Sequence, residues 1–158
     1  MSTIQVLLFF HILSAFLIAA GSALAVVVSG AMRRTNRTET IQTLIAAGSK
    51  APLIIVPGAL LAIVTGSWLV REAGYRYTEP WVIAAYVGWL VAGFLGGNVL
   101  GGHQRKVQAL AAQELAAGRT ESPALRAAIS DPKILAVEYA QVALVLGFLV
   151  LMVFKPGH

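Results

Sequence analysis

Cysteine and charged residues are what this 158-residue chain has least of. It contains no Cys, which excludes disulfides, thiolate metal sites, iron–sulfur ligation and cysteine nucleophiles. Charged residues make up 12% of the chain, about half the usual share of a soluble domain. The sequence also lacks the H-E-x-x-H, G-x-S-x-G and Walker P-loop patterns. These absences leave only a few polar residues that could carry a function.

Four apolar stretches fill most of the chain, and together they hold one charged side chain, Glu138. They cover residues 1–32, 51–70, 80–104 and 134–154. Since a helix rises about 1.5 Å per residue, about 20 residues cross the roughly 30 Å hydrocarbon layer of a bilayer. The pattern predicts an all-α integral membrane four-helix bundle forming a single domain, residues 1–158. Its spans are expected at about 4–32, 52–71, 81–102 and 133–154.

The first stretch also resembles a secretory signal peptide, because small residues stand at Ala23 and Ala25. It lacks the positively charged start of a signal peptide, and its apolar run is too long for one. We therefore expect this stretch to be retained as the first span. At the other end of the chain, His158 is expected to be frayed.

The basic residues predict an orientation in the membrane. Residues 33–50 carry four Lys or Arg and residues 103–133 carry five, whereas the other side has three. Basic loops remain in the cytoplasm, so loops 33–51 and 103–132 are predicted to be cytoplasmic. The topology is then up-down-up-down with both termini extracytoplasmic, in a bacterial cytoplasmic (inner) membrane. Four aromatic residues fall at the outer interface, as in an aromatic belt: Trp68, Tyr75, Tyr77 and Trp81.

The net charge of +5 would suggest nucleic-acid binding in a soluble protein. Here the basic residues are explained by topology, so we expect no nucleic-acid partner, and the partner that the composition predicts is the lipid bilayer.

Local signals predict where several helices begin and end. Asn36 followed by Glu39 is typical of a capping box that starts a short amphipathic helix. Pro57 lies within the second span and predicts a kink or local unwinding. A polar helical extension of the third span is expected to stop at Gly118. Asp131, followed by proline, is typical of a helix cap and first turn.

Two stripes of small residues recur at four-residue spacing, one on the second span and one on the third. They are Gly58, Ala62 and Gly66, and Gly93, Gly97 and Gly101. Such stripes let helix backbones approach closely in lipid. Packing of the second span against the third is the favoured interpretation. The alternative is a homodimer or a larger membrane complex formed through the third span.

His11 is an ionisable residue inside the first span, about 10 Å from its outer end by helix rise. A neutral imidazole at that depth could ligate a haem iron or another transition metal, with Ser14 one turn away. The alternative is a histidine hydrogen-bonded to another helix. His103 lies at the inner boundary, roughly 20 Å from His11 along the membrane normal. The two histidines therefore cannot ligate one iron, and His103 is expected to be an interfacial residue rather than a ligand.

Glu138 lies about 7 Å into the inner leaflet by helix rise, with Gln141 on the same face. A lone carboxylate there must pair or stay protonated. Lys50, His103 and Arg105 are the partners expected to be within reach. A structural ion pair or hydrogen bond is the favoured interpretation, and a proton relay or ion gate is the alternative.

Three segments carry a resemblance: FFHILSAFLIAAGSALAV, PGALLAIVTGSWL and GGHQRKVQAL. They resemble a family of small bacterial integral membrane proteins that carries a domain-of-unknown-function label. The FHILSA start is also distantly similar to the first helices of the copper-resistance D family and of the HemJ-type protoporphyrinogen oxidases. The latter resemblance implies a haem-binding membrane bundle with haem b and with His11 as a ligand.

Two functions follow as hypotheses. The first is an integral membrane protein that acts as an accessory, assembly or small transport component without enzymatic activity. The alternative is a haem- or metal-binding membrane redox protein that uses His11.

Overall fold

The computed structural model describes residues 2–156, and His158 lies outside the described residues. Apart from turns and one isolated antiparallel bridge between Arg37 and Glu121, the described residues are helical. The helices are α1 Thr3–Arg33, α2 Thr38–Gly48, α3 Ala51–Glu72, α4 Pro80–Phe94, α5 Gly101–Ala116, α6 Pro123–Ile129 and α7 Pro132–Phe154; a π-helical turn, Leu95–Leu100, joins α4 to α5.

Four helical segments of the described chain are long and apolar enough to cross a membrane. They are Thr3–Arg33, Thr38–Glu72, Pro80–Ala116 and Pro123–Phe154. The prediction of an all-α protein with four spans is thereby confirmed. The up-down-up-down order and the location of the termini remain predictions, because length and composition do not orient a helix.

The predicted helix start at Asp131 is confirmed, and the one at Asn36 is wrong. The Asp131 side chain accepts a hydrogen bond from the Lys133 amide (2.9 Å), and Pro132 opens α7. Helix α2 begins after Arg37 without a side-chain cap. The Thr38 amide and hydroxyl instead donate to the Thr120 carbonyl, at 2.9 and 3.1 Å. A carbonyl from a distant segment thus satisfies the free amide that a cap would otherwise bind.

The helix distortion that Pro57 predicts in the second span is absent, and a distortion occurs in the third span instead. Pro57 lies inside α3, yet the helix runs without interruption from Ala51 to Glu72. The irregular stretch is instead the π turn, Leu95–Leu100. Beside it, the Gln141 amide of α7 donates to the Ala92 carbonyl (3.1 Å). A side chain that bonds to a helix carbonyl is a common cause of such a distortion.

Helix α1 packs along α3 over much of the length of both helices. A Cβ placed on Gly58 would lie 2.9 Å from Leu17 Cβ and 3.2 Å from a carbon of Ile18. The stripe of the second span therefore faces α1. This corrects the expectation that the two small-residue stripes pack against each other.

The third span contacts the second through hydrogen bonds and the fourth through an aromatic ring. Tyr86 of α4 shares a 2.7 Å hydrogen bond with Ser67 of α3, and the Trp89 indole donates to the Ala59 carbonyl (3.3 Å). On the opposite side, a Cβ placed on Gly88 would lie 3.2 Å from the Phe148 ring of α7. The helices are thus connected by a few specific contacts.

Helices α2, α5 and α6 form a separate layer with a buried apolar core, which we name the α2–α5–α6 layer. Its buried residues are Ile41, Ile45, Val107, Ala111, Leu125 and Ile129. The layer falls within the two predicted cytoplasmic loops, of which the second was not expected to contain the short helix α6. Helix α5 ends at Ala116 and Gly118 has a φ of 71°, which confirms the predicted stop at this glycine.

Candidate functional sites within the spans

The first candidate site lies where α1 crosses α3. Helix α1 places His11 against the second turn from the end of α3, and His11 Nδ1 lies 3.1 Å from Thr65 Oγ1. Thr65 is 5% exposed, so this polar contact is removed from lipid. Ser14, which is fully buried, donates to the His11 backbone carbonyl (2.5 Å). Its hydroxyl is therefore bonded to the backbone of α1 and not to the imidazole ring.

The Thr65 hydroxyl determines which imidazole nitrogen carries the proton. Its single proton is donated to the Leu61 carbonyl at 2.6 Å. The Thr65 oxygen must then accept from His11, so Nδ1 is the protonated nitrogen and Nε2 carries the lone pair of the neutral ring. The Ala62 carbonyl also lies beside the ring. With the Leu61 and Thr65 hydrogen bonds both formed, the neutral imidazole carries its proton on Nδ1.

Gly66 provides the space that the His11 ring occupies. A Cβ placed on Gly66 would lie 2.9 Å from His11 Cε1 and 3.4 Å from Nδ1. A side chain of any other residue would therefore displace the ring. The small-residue pattern of the second span was visible in the sequence, but its relation to His11 depends on the rotation of the two helices.

The second candidate site joins α1 to α7 and corrects the predicted partners of Glu138. Arg33 Nη2 and Ser29 Oγ each lie 2.6 Å from a Glu138 carboxylate oxygen. The Arg33 and Glu138 side chains are 24% and 21% exposed. The contacts of Glu138 are thus made to the last turns of α1, and not to Lys50, His103 or Arg105.

The sequence did contain a signal for this site. Ser29 and Arg33 are four residues apart at the end of the first span, so they share one helix face. Lys50 and Arg105 are exposed, and His103 is half-buried on α5. Helix rise predicts these three residues as partners of Glu138 because they lie at a depth similar to that of its carboxylate. The rotation of α1 decides which cation reaches the carboxylate.

Two buried polar atoms near these contacts have no hydrogen-bond partner among residues 2–156. They are Arg33 Nε and Gln141 Oε1. Gln141 lies three residues after Glu138, and its Nε2 is bonded to Ala92 as described above. Buried polar atoms are usually paired. These two atoms are therefore exceptions within the described chain.

The stripe of the third span has no partner within the described chain. A Cβ placed on Gly93 or Gly97 would meet nothing within 4 Å, and one on Gly101 would meet the Gly96 carbonyl of its own helix. Asn98, next to Gly97 in the π turn, is exposed. This face of the third span is free of intramolecular contacts, in contrast to the stripe of the second.

The structure brings no group of three His, Cys, Asp or Glu side chains together as metal ligands in residues 2–156. A metal or haem at His11 would bind through Nε2 as the donor atom. A haem iron held by one protein histidine is a recognised arrangement. A ligating histidine also commonly donates its other N–H to a fixed acceptor, and Thr65 is such an acceptor.

Four membrane-length apolar helices, connected by polar side chains, define a multi-pass integral membrane protein. The chain belongs to the family described as predicted integral membrane protein (DUF2269), whose family model matches residues 5–156. The resemblance to such a family is thereby confirmed. A search of curated proteins and a search of solved structures each gave no match. The similarity to the copper-resistance D and HemJ-type families stays a prediction.

Proposed function

We propose that this membrane protein is an accessory or assembly component of the bacterial cytoplasmic membrane, without enzymatic activity, and that it joins a partner through its third span. In the proposed orientation the basic loops face the cytoplasm and both termini lie outside it. The observation that carries the proposal is the unpartnered face of the third span. We name it the α4 face; it begins with Gly93 of α4 and continues with Gly97 and Asn98 of the π turn.

The two kinds of residue on the α4 face favour a protein partner over lipid. Gly93 and Gly97 have open space where a Cβ would be, so another helix can approach the backbone closely. Asn98 is exposed, and its side-chain amide forms no hydrogen bond with the described residues. Lipid chains offer such an amide no hydrogen bond, and polar side chains within spans usually face protein.

The other polar side chains of the spans support a structural role. His11 contacts Thr65, Glu138 contacts Arg33, and Gln141 contacts α4. Each of these contacts joins two helices. The polar residues are thus used to hold the bundle together, which is what a non-catalytic component requires.

The proposal is tested by the size of the complex that mild detergent extracts from native membranes. Gly97→Leu should abolish a complex that the wild-type protein forms, because the new side chain fills the α4 face. Gly147→Leu on α7 is the matched control, since a Cβ placed on Gly147 would also meet nothing within 4 Å. A monomeric wild-type protein, or a complex that survives Gly97→Leu unchanged, would contradict the proposal.

The orientation is tested separately with a reporter fused after His158. A reporter active only outside the cytoplasm is the expected result. Activity only inside would reverse the proposed placement of the basic loops.

A haem- or metal-binding redox protein is the second candidate, and the His11 tautomer favours it. With Nδ1 donating to Thr65, the Nε2 lone pair is available to an iron or another transition metal. A haem would supply one-electron chemistry. This chain would hold it through His11, and Thr65 and Gly66 would orient the His11 imidazole.

An absorption spectrum of the protein, purified after haem-supplemented expression, tests this second candidate. A Soret band that is present in the wild type, absent in His11→Ala and retained in His103→Ala supports haem binding. The absence of a Soret band in the wild type eliminates haem binding.

A further inference from the structure

A groove of about 450 Å³ opens to the lipid at the end of α3 that lies opposite the basic loops. It is lined by Ile63, Val64, Ser67, Trp68, Arg71 and Tyr77. Arg71 lies 20 residues after Ala51, the first residue of α3, which is about 30 Å along the helix. That is the thickness of the hydrocarbon layer. With Ala51 placed at one face of the layer, Arg71 reaches the headgroups of the other face and the apolar part of the groove lies within the bilayer.

Hydrogen bonds hold both aromatic walls of the groove. The Tyr77 hydroxyl donates to the Ser67 carbonyl (2.7 Å), and the Trp68 indole donates to the Glu72 carboxylate (3.1 Å). Trp68 and Tyr77 are nevertheless 51% and 49% exposed. The groove is therefore preformed, and its walls present their rings to whatever occupies it.

Two arginines at this end of the described chain, Arg71 and Arg76, have guanidinium groups without an ion pair, and only Arg71 lines the groove. The Glu72 and Glu79 carboxylates accept hydrogen bonds from the indoles of Trp68 and Trp81. Arg71 is exposed and forms no ion pair or hydrogen bond with the described residues. A guanidinium at headgroup level above an apolar groove is complementary to a phosphate that carries an acyl chain.

A second groove, of about 510 Å³, lies on the α1 side of Trp68. It runs between α1 and α3, with Val6, Leu7 and Phe10 among its lining residues, and it shares Val64 and Trp68 with the first groove. The two grooves thus flank one tryptophan. Two acyl chains that leave one headgroup could occupy them together.

We propose that these paired grooves bind one anionic phospholipid, with its phosphate on the Arg71 guanidinium and its acyl chains on the two sides of Trp68. In the proposed orientation this lipid belongs to the outer leaflet. The site is independent of the α4 face, which lies on another helix.

Native mass spectrometry of the detergent-purified protein tests the site, with phosphatidylglycerol as the probe and phosphatidylcholine as the neutral comparison. One phosphatidylglycerol should bind about tenfold more tightly than phosphatidylcholine, the factor that about 1.4 kcal/mol of charge-assisted contact produces. Arg71→Gln should remove this preference. Arg76→Gln is the matched control, because Arg76 is an exposed cation at the same end of the chain that does not line the groove.

A second variant tests the acyl positions without changing charge. Val64 is 60% exposed and lines both grooves, so Val64→Trp should fill them and weaken the binding of both lipids without affecting the fold. A preference that survives Arg71→Gln, or that is lost equally in Arg76→Gln, would overturn the proposal. Unchanged binding to Val64→Trp would overturn the placement of the acyl chains.

Discussion

The α2–α5–α6 layer and the four spans are built on different physical principles. In the layer, Leu125 and Ala111 are 0% exposed and Ile41 is 1% exposed, as in the core of a water-soluble protein. In the spans, helix α7 has no buried residue, and Phe16 is 69% exposed. Burial of apolar surface away from water stabilises the layer. Lipid gives no such advantage to the spans, which are connected mainly by close approach at glycines and by polar contacts. A small buried cluster of Val70, Trp81 and Val82 adds to these contacts at one end.

The comparison explains where the chain uses its few polar residues. In the layer, polar groups close the ends of helices, as Thr38 does with the Thr120 carbonyl. In the spans, His11, Glu138 and Gln141 each reach a different helix. Polar side chains thus cap helices in both regions, and inside the spans they also join one helix to another.

The largest loss of stability on substitution is expected in the α2–α5–α6 layer. Leu125→Ala should lower the free energy of unfolding by about 2–5 kcal/mol, because it leaves a cavity in a fully buried core. Leu60→Ala in α3, where the side chain is 56% exposed, is the matched control and should change stability little. Thermal unfolding in detergent measures both. Equal losses for the two variants would show that the spans and the layer are stabilised alike.

The next largest loss of stability is expected when the contact between α1 and α7 is broken. Arg33→Gln should destabilise the protein by about 1.5–3 kcal/mol, the range for hydrogen bonds to charged groups. Lys50→Gln and Arg105→Gln remove a cation from the positions that the sequence pattern favours, and they should have little effect. A larger loss in either of these than in Arg33→Gln would make that residue, rather than Arg33, the partner of Glu138.

Gly66→Ala tests the space around the His11 ring. The added Cβ would lie 2.9 Å from His11 Cε1, so we expect a loss of about 1–3 kcal/mol, as for other overpacked sites. In a His11→Ala background the same substitution should cost much less. Gly93→Ala is the control on the α4 face and should be tolerated in the isolated chain. An equal cost of Gly66→Ala with and without His11 would argue against the proposed fit.

The smallest effect is expected from Thr65→Val, which removes the acceptor of His11 Nδ1 but keeps the shape of the side chain. Hydrogen bonds between membrane helices contribute about 0.6 kcal/mol on average. The expected loss is of that size, and Thr43→Val, at an exposed position of α2, provides the baseline. If His11 binds haem, Thr65→Val should also alter the absorption spectrum, whereas Thr43→Val should not.

The sequence predicted those features of the fold that depend on local patterns. Hydropathy and length identified the four spans, and the Asp131 cap and the Gly118 stop follow from residues at the helix ends themselves. Helix α6 was missed although it has a local signal: Ser122 caps it by accepting from the Leu125 amide (3.1 Å), and Pro123 opens it. Its seven residues are too few for hydrophobic periodicity to stand out.

The features that sequence reasoning missed depend on contacts between distant segments. The depth of Glu138 was predicted from helix rise, but the choice of Arg33 over Lys50 depends on how α1 is rotated against α7. The π turn lies beside Gln141, which comes from another helix much later in the chain. Periodicity along one helix reports its faces and not the neighbour that each face meets.

A double-mutant cycle at Arg33 and Glu138 tests most directly the central claim that polar side chains hold the spans together. Unfolding of the wild type, Arg33→Gln, Glu138→Gln and the double variant would be measured in one detergent at one pH. We predict a coupling free energy of about 1 kcal/mol or more, as for residues in direct contact. Additive losses, with a coupling near zero, would contradict the claim.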